Sequence, residues 1–581
     1  MKHIFFLIIF LFFLEVSGQR NEEDLRLQFS NLQESVYVSY NESALSSGEY
    51  FYYKFHCFNV QKKQGSELSK IGYIELIGKD GSRVFMQKVK LKNGFGYGDF
   101  FVPTTLESGN YKLIAYTNWM KNWGQDSFYQ SDIVIVNPYR SNQSALFNNS
   151  KEKELGTDGI AIHTSTKANT STSTFLRIDL PKKNFGRREK VDFWLKNRGE
   201  NPLNGSFSVS VRYQKSFLNA KPKNSVPSFD KIAAKSLNIE GKKVLPELRG
   251  ELITGVILDR ENSEPITNAK VIVSLSNEKH DIRMVNTDDD GRFYASFDDD
   301  SQRDRIFVQL ADSDLSYKVV LDNNDDTLDK NLLNFGFYEL SENASDVILE
   351  RSIQNQIENA YFSLKPDTLL FSLNTIPFYG DMGTKYVLDD YTRFPTIEET
   401  VLEIVNKTWL SKKNNDIVFV VRSDGETLLS QEYGSLLMVD GFPVLNQKQF
   451  IQNYEAYKIE SITVVNSQYR IGNSIFDGLI DIKTRDLDYL NNKLESNEGL
   501  PILRPVTVKN YYRQEYKTTE KYLRIPDQRR QLLWNPNLDY KGKDEKIEFF
   551  TSDITGNYTI IVEGFLDDGS YVKIQDSLSV D

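Results

Sequence analysis

The sequence predicts a mainly β protein, in which several β-sandwiches follow one another and one small α/β domain lies near the C-terminal end. Short segments of alternating apolar and polar residues, separated by turns, recur along most of the chain. Aromatic residues make up 13% of the 581 residues, with 31 Tyr and 37 Phe, a composition that suits half-buried strands. Residues 436–485 combine strand and helix spacing, which indicates a separate mixed unit.

The first 18 residues have the pattern of a signal peptide. Lys2 and His3 precede an unbroken apolar run over 4–14, and small residues at 17 and 18 suit cleavage before Gln19. A run of this length is too short to cross about 30 Å of hydrocarbon. We therefore expect an exported protein of the cell envelope, periplasmic or associated with the outer membrane, with no transmembrane span of its own.

Charge and cysteine content argue against several classes of protein. The formal net charge is −11 and the isoelectric point is near 5.3, which disfavours binding to nucleic acid or to anionic lipid. Cys57 is the only cysteine of the chain, so no internal disulfide can form. The domains must therefore be held together by apolar cores.

Residues 19–138 are predicted to form the first sandwich, because strand patterns follow one another from residue 36 to residue 136. The order of motifs resembles the macroglobulin-type domain near the start of bacterial α2-macroglobulin-like proteins, which implies an immunoglobulin-like sandwich. The resemblance is carried by Ser47, Gly48, Glu49, Tyr73, Gly94, Gly98, Pro103, Tyr111, Tyr116 and Trp119.

Residues 139–247 are predicted to hold a second sandwich behind a polar linker. Ser, Asn, Lys and Glu dominate residues 139–168, whereas residues 176–178, 190–195 and 207–211 alternate as strands. Residues 491–581 are predicted to form a separate C-terminal sandwich, with alternating segments at 547–551, 558–562 and 571–574. This last segment resembles a late macroglobulin-type domain.

Residues 248–340 are predicted to form a third sandwich, followed by a linker over 341–394. The segments ITGVILDRENSEPITNAKVIVSLS, from Ile253, and NTDDDGRFYASF, from Asn286, resemble the carboxypeptidase regulatory-like domain. That resemblance implies a transthyretin-like sandwich and almost nothing about chemistry. Within the linker, residues 353–361 have helical spacing.

Residues 395–490 are predicted to form the α/β domain. Thr396 and Glu399 make a capping box at the start of a helix, and Asp440-Gly441 makes a turn after a short apolar strand. The pattern resembles the plug domain of TonB-dependent outer-membrane receptors. It is carried by Asp440, Gly441, Pro443, Ile459, Ile462, Val464, Gly478, Ile480, Ile482 and Thr484.

A receptor plug sits inside a barrel of about 22 strands, which takes several hundred residues. About a hundred residues follow Arg485, and their strand pattern predicts one sandwich. We therefore expect a plug-like module without a transport barrel. The same combination of domains resembles a family of exported Bacteroidota proteins, and it implies a non-enzymatic accessory or scaffold protein whose partner is an outer-membrane protein or envelope complex.

The resemblance to plugs implies that exposed turns contact this partner. The candidate interaction residues are Asp440, Gly441, Phe442, Pro443, Tyr469, Arg470, Phe476 and Asp477.

An aromatic cluster at Tyr116, Trp119 and Trp123 suggests an alternative function, because such side chains could stack a glycan or a peptide. Packing in the core or at an edge of a sandwich is the more common role of such residues. The sequence leaves both interpretations open.

A third hypothesis, an enzyme with an unrecognised site, has little support. Cys57 lacks the Gly-Cys-Gly-Glu-Gln context of a thioester, and His56, His163 and His280 are not spaced as metal ligands. We predict no catalytic residue, metal ligand or cofactor. Asp-rich runs at 288–290, 298–300 and 322–326 could bind Ca²⁺, but Asp is also common in β-turns for its backbone hydrogen bonds.

Overall fold

The computed structural model describes residues 32–143, 175–199, 203–226, 244–275, 281–298, 303–311, 316–322, 328–370, 376–413, 416–422, 433–496, 498–516 and 524–581. The predicted signal peptide and most of the polar linker lie outside these residues, as do His163 and His280. The chain is mainly β, which confirms the predicted fold class. It divides into unit 1, drawn from Met1–Leu248, Asp326–Leu370 and Pro505–Asp581, and unit 2, drawn from Arg249–Asp325 and Phe371–Arg504.

The first sandwich of unit 1 packs a four-stranded sheet against a five-stranded one. In the first sheet β3 pairs with β1, β4 and β7, and the second has the order β2-β9-β8-β5-β6. Alternating aromatic and aliphatic side chains, among them Tyr53, Phe55 and Leu113, fill the space between the sheets. The strands are β1 (Glu34–Tyr40), β2 (Ala44–Ser46), β3 (Tyr50–Asn59), β4 (Gln64–Gly65), β5 (Ile71–Gly78), β6 (Arg83–Lys90), β7 (Phe95–Phe101), β8 (Gly109–Tyr116) and β9 (Tyr129–Val136).

Four strands follow that form only part of the next sandwich. They are β10 (Leu176–Asp179), β11 (Asn184–Phe185), β12 (Lys190–Asn197) and β13 (Asn204–Tyr213).

Unit 2 begins with a sandwich of two small sheets, ordered β17-β14-β19 and β16-β15-β18-β28. Gly291 has a positive φ of 69° in the turn before β17, a conformation that Gly adopts without steric cost. The first six strands are β14 (Glu251–Asp259), β15 (Lys270–Leu275), β16 (Asp281–Asn286), β17 (Arg292–Phe297), β18 (Arg305–Leu310) and β19 (Tyr317–Leu321).

The segment predicted as a linker is partly helical and returns to unit 1. It forms α1 (Ala344–Ala360) and then the short strand β20 (Thr368–Leu369). Val347 lies in a small apolar cluster with Val134 and Val136 of β9, so α1 packs against the first sandwich.

The α/β domain of unit 2 has a five-stranded mixed sheet ordered β21-β26-β27-β24-β25. One face carries apolar residues from α2, α3 and α4, and the other packs against Ile272 and Met284 of the neighbouring sandwich. The elements are β21 (Thr384–Val387), α2 (Ile397–Ile404), β22 (Thr408–Lys413), β23 (Asp416–Val421), β24 (Leu436–Val439), β25 (Phe442–Pro443), α3 (Gln447–Asn453), β26 (Ile459–Ile471), β27 (Ser474–Thr484) and α4 (Asp488–Glu495). The next strand, β28 (Leu500–Pro501), pairs with β18 of the neighbouring sandwich.

The last strands complete the sandwich that β10–β13 begin. The two sheets of this second sandwich are ordered β10-β12-β31 and β11-β33-β32-β13-β30. These strands are β30 (Gln531–Lys541), β31 (Glu545–Phe550), β32 (Gly556–Leu566) and β33 (Tyr571–Val580). The preceding short strand, β29 (Lys509–Asn510), pairs with β20.

This pairing differs from the prediction of two separate sandwiches over 139–247 and 491–581. Strand β13 lies between β30 and β32, and β12 pairs with β31 from Lys190↔Phe550 to Leu195↔Glu545. Alternation identifies a strand but does not identify its partner, because pairing is set by burial of the whole face. Residues more than 300 positions apart therefore form one core.

None of the helices in the described part of the chain is both long and apolar enough to cross a membrane.

A pair of engineered cysteines tests the shared sandwich. Asp192 and Glu548 face each other across the β12–β31 ladder, and antiparallel partners have the Cα separation that a disulfide requires. We expect Asp192→Cys with Glu548→Cys to form an intrachain disulfide under mild oxidation, detected by mass spectrometry of digested protein.

The control is the double variant Asp80→Cys with Glu548→Cys, in which Asp80 is an exposed residue in a turn of the first sandwich. Its two engineered cysteines should stay reduced. If the Asp192 and Glu548 variant also stays reduced, the two segments do not form one sandwich.

Candidate functional site

The turn predicted to contact a partner through Asp440–Pro443 is buried in unit 2. Asp440 is only 4% exposed, and its carboxylate accepts hydrogen bonds from the backbone N–H of Thr484 at 2.7 Å and of Leu490 at 3.3 Å. Burial raises the pKa of Asp440, and these hydrogen bonds oppose the rise. Phe442 packs edge-on against Phe307 of the neighbouring sandwich, 5.0 Å between ring centroids. The turn therefore joins elements of unit 2 and is not an exposed surface.

The second set of predicted interaction residues lies in the β26–β27 hairpin. Asp477 is buried and accepts hydrogen bonds from the Tyr433 backbone N–H at 2.8 Å and from Gln468 Nε2 at 3.1 Å. Tyr469 is half-buried and donates to the backbone oxygen of Phe378. Of the eight residues predicted to form exposed turns, only Arg470 has an exposed side chain, and the side chain of Phe476 is half-buried. The prediction of an exposed patch is corrected on this point.

The aromatic cluster predicted to stack a ligand is part of the first sandwich's packing. Tyr116 is fully buried and lies between Tyr73 and Phe128, at centroid distances of 5.4 and 4.5 Å. Trp119 and Trp123 are 5% and 8% exposed and pack edge to face at 5.3 Å. Of the two interpretations that the sequence left open, the structure supports packing.

A different feature of unit 1 has the geometry of a binding site. Two adjoining cavities, of about 520 and 160 Å³, share Tyr511, Tyr512 and Trp534 in their walls. Together they are called the cleft. Its walls come from residues 48–52, β7, β13, α1, residues 362–368, residues 509–513 and residues 528–537. These segments lie far apart in the sequence, so no local motif marks the cleft.

Aromatic rings form the cleft's inner wall. Tyr52 of β3 stacks on Trp534 of β30 at 5.9 Å with an interplanar angle of 23°, and meets Tyr511 edge-on at 5.0 Å. Tyr50 stacks on Phe362 at 5.8 Å. Residues 50–58 have aromatic side chains on both faces of the strand, and that is the one sequence signal that could have pointed to this wall.

Lys509 holds the 509–513 segment against the first sandwich. Its ammonium lies 2.8 Å from carboxylate oxygens of both Asp99 and Asp367. Burial alone would lower the pKa of Lys509, but these two carboxylates outweigh it and raise the pKa. The Tyr512 N–H donates to Asp367 at 2.9 Å, and the Tyr511 hydroxyl donates to Asp99 at 3.1 Å. The segment is thus fixed before any ligand arrives.

The larger cavity is lined by side chains that can stack and form hydrogen bonds. Its described lining residues are aromatic, amide, hydroxyl and cationic, with two prolines, and include no carboxylate, histidine or cysteine. The Trp534 indole N–H is buried and has no hydrogen-bond partner among the described residues. A buried donor of this kind is uncommon in folded proteins. The wall therefore carries an unused donor next to an open cavity.

Over the described ranges, no three His, Cys, Asp or Glu side chains converge as a metal site. Asp288, from one of the Asp-rich runs, accepts hydrogen bonds from the backbone N–H groups of Asp290 and Arg292 in its own turn. The runs at 298–300 and 322–326 extend beyond the described residues.

Comparisons with known proteins give distant structural matches only. No family model matches the chain, and no curated protein matches it. A Salmonella α2-macroglobulin reacted with methylamine is 8% identical with a TM-score of 0.22, covering 94% of this chain and 39% of that structure. An Escherichia coli α2-macroglobulin activated by porcine elastase is 8% identical with a TM-score of 0.23, covering 94% of this chain and 44% of the other.

The Yersinia pseudotuberculosis adhesin InvE matches 52% of this chain and 62% of its own at 8% identity and a TM-score of 0.13. The chain thus spans about two fifths of the length of the macroglobulin structures. At these scores the similarities say nothing about activity, and the site must be judged on its own geometry.

A cluster of buried charges, here called the charge cluster, borders the smaller cavity. Glu49 accepts from Arg351 Nε at 2.9 Å and Nη2 at 2.6 Å, and from Arg212 Nη2 at 2.9 Å. Arg351 comes from α1 and is 1% exposed, whereas Arg212 comes from β13. Glu42 pairs with Lys221 at 2.7 Å, and Arg530 of the segment before β30 donates to Gln354.

The cluster has an excess of positive charge that shapes its pKa values. Burial would raise the pKa of Glu42, but Lys221, Arg212 and Arg351 outweigh it and lower the pKa to about 2. Glu49 is shifted the same way, because Arg351 and Arg212 overcome its burial. Burial and the repulsion of Arg351 lower the pKa of Arg530. Both glutamates are therefore ionised at any physiological pH, and their loss of charge would leave the arginines unpaired.

Acid should destabilise unit 1 through these carboxylates. Their pKa values are lower in the folded than in the unfolded chain, so the stability they give is complete above about pH 4.5 and is lost towards about pH 2. We expect the melting temperature of the full chain, measured by scanning calorimetry, to fall over this interval.

Glu42→Gln should show a lower melting temperature at pH 7 and a shallower fall with acid, since one of the titrating groups is gone. An exposed control, Glu545→Gln, should keep the wild-type slope. An unchanged slope in Glu42→Gln would contradict this role for the cluster.

Proposed function

We propose that the protein is a non-enzymatic, exported accessory protein of the cell envelope that acts by binding, and that the cleft is its ligand site. The observation that carries the proposal is the cleft itself. It combines a cavity of about 520 Å³, a preformed aromatic wall and side-chain amides, which is the usual composition of a ligand pocket. A non-catalytic role is supported by the lining of that cavity, whose described residues include no carboxylate, histidine or cysteine.

Export is proposed from the sequence. The apolar run over 4–14, followed by small residues at 17 and 18, has the length and order of a secretory signal. The negative formal net charge of −11 and the single cysteine agree with an envelope protein whose domains are stabilised by apolar cores.

A second candidate function is a scaffold that holds an outer-membrane protein. With the Asp440 and Asp477 turns buried, a partner would have to use other residues of the plug-like domain. Leu402 of α2 is 72% exposed and Tyr457 is 62% exposed, and both are large apolar side chains on the surface. This candidate does not involve the cleft, so one experiment separates the two.

Affinity capture from detergent-solubilised envelope tests both functions. Wild-type protein, a Tyr512→Ala variant of the cleft and a Leu402→Ser variant of the plug-like domain are immobilised in parallel. If the protein acts through the cleft, retained envelope material should fall at least tenfold in Tyr512→Ala and stay unchanged in Leu402→Ser.

Retention of a membrane protein that Leu402→Ser abolishes and Tyr512→Ala leaves intact would favour the scaffold. Equal retention by all three proteins would contradict a ligand site in the cleft.

A further inference from the structure

We infer that the cleft binds a neutral saccharide chain, with the sugar rings lying against Tyr97 and Tyr512. This inference rests on the proposed binding function and names the ligand's chemical class. It follows from the shape, polarity, charge and strand edges of the cleft.

The aromatic residues are arranged as a floor and two partly exposed platforms. Tyr511 and Trp534 are buried and form the floor, whereas Tyr97 and Tyr512 are half-buried and present ring surface to the cavity. The C–H faces of a sugar ring are apolar with slightly positive hydrogens, and they complement the negative face of an aromatic ring. Planar rings fixed in advance bind at a small cost in conformational entropy.

Amide and hydroxyl side chains surround the platforms. Asn510, Asn535, Asn537 and Thr368 line the larger cavity. An amide both donates and accepts hydrogen bonds, as does a sugar hydroxyl, so adjacent hydroxyls of one ring can be matched by a single amide. The half-buried Asn535 accepts from the Asn537 N–H, which ties its carbonyl oxygen to this part of β30.

The charge near the cavity favours a neutral ligand. Lys509 and Arg513 are the charged side chains in the described lining, and Asp99 and Asp367 lie at 2.8 Å from Lys509. Two positive and two negative charges leave no net charge beside the larger cavity, whereas Arg212 and Arg530 of the charge cluster line the smaller one. An acidic polymer would find no cationic excess in the larger cavity, where the saccharide lies.

The strand edges beside the cavity do not suit an extended peptide. A peptide that adds to a sheet needs a continuous row of backbone N–H and C=O groups. Strand β30 is the edge of its sheet, but Pro536 lacks an N–H, and the ladder is irregular between Phe207 and Val209. Strand β29 is only two residues long. The cleft therefore recognises its ligand through side chains, as a saccharide requires.

Calorimetric titration of the full-length mature protein tests the inference. The probes are cellohexaose, maltohexaose, xylohexaose and mannohexaose as neutral chains, hexagalacturonate as an acidic chain, and a random nonamer peptide library assayed by retention. We expect at least one neutral hexasaccharide to bind, and Tyr512→Ala to weaken that binding at least tenfold. Asn537→Ala, an exposed site with little effect on folding, should weaken it about threefold or more.

Tyr391→Ala, at an exposed tyrosine of unit 2, is the matched control and should leave the affinity for the saccharide unchanged. The inference is overturned if none of the four neutral probes gives a heat of binding. It is also overturned if the protein prefers hexagalacturonate. Peptide retention that Tyr512→Ala abolishes would overturn the saccharide class while leaving the proposed ligand site in place. If neither saccharides nor peptides bind, the proposed function fails as well.

Discussion

The carboxylate of Glu49 links three parts of unit 1 through buried ion pairs. It is buried between Arg351 and Arg212, and these three residues come from the first sandwich, from α1 and from the second sandwich. Removing one partner from a buried ion pair leaves an uncompensated charge, at a cost of about 3–5 kcal/mol. The three elements must therefore assemble together, even though they lie up to 302 residues apart in the chain.

The path of the chain brings these parts together. The chain leaves unit 1 after Leu248, returns between Asp326 and Leu370, leaves again and comes back at Pro505. Its first return delivers Arg351 to the charge cluster and Asp367 to Lys509, and its second delivers Lys509, Trp534 and β30–β33. The cleft is built from residues of both returns and of the first sandwich. Its aromatic wall is thus complete only when the whole of unit 1 has folded.

Local features of the fold could be predicted from the sequence. The predicted N-cap of α2 is present: the Glu399 N–H donates to Thr396 Oγ1 at 3.1 Å. Asp440 and Gly441 both adopt positive φ, of 50° and 77°, as an Asp-Gly turn allows. Alternation identified most of the strands, because one face of each is buried. These features depend on a few neighbouring residues.

Partners and exposure could not be predicted in the same way. Alternation in β12 and β31 is equally compatible with one sandwich or two, since it does not record what covers the buried face. The Asp440 turn looks like a surface turn, yet Phe307 and the N-terminus of α4 cover it. Nothing in the sequence distinguishes Trp119 from Trp534, and only the fold places Trp534 beside a cavity.

The central claim is that the ion pairs of Glu49 make three parts of unit 1 fold together. Hydrogen–deuterium exchange of the full chain and of Arg351→Met tests it most directly, with exposed Arg140→Met as the control. Exchange is expected to rise together in α1, in residues 42–49 and in residues 528–534 when Arg351 is replaced. A rise confined to α1 would contradict the account.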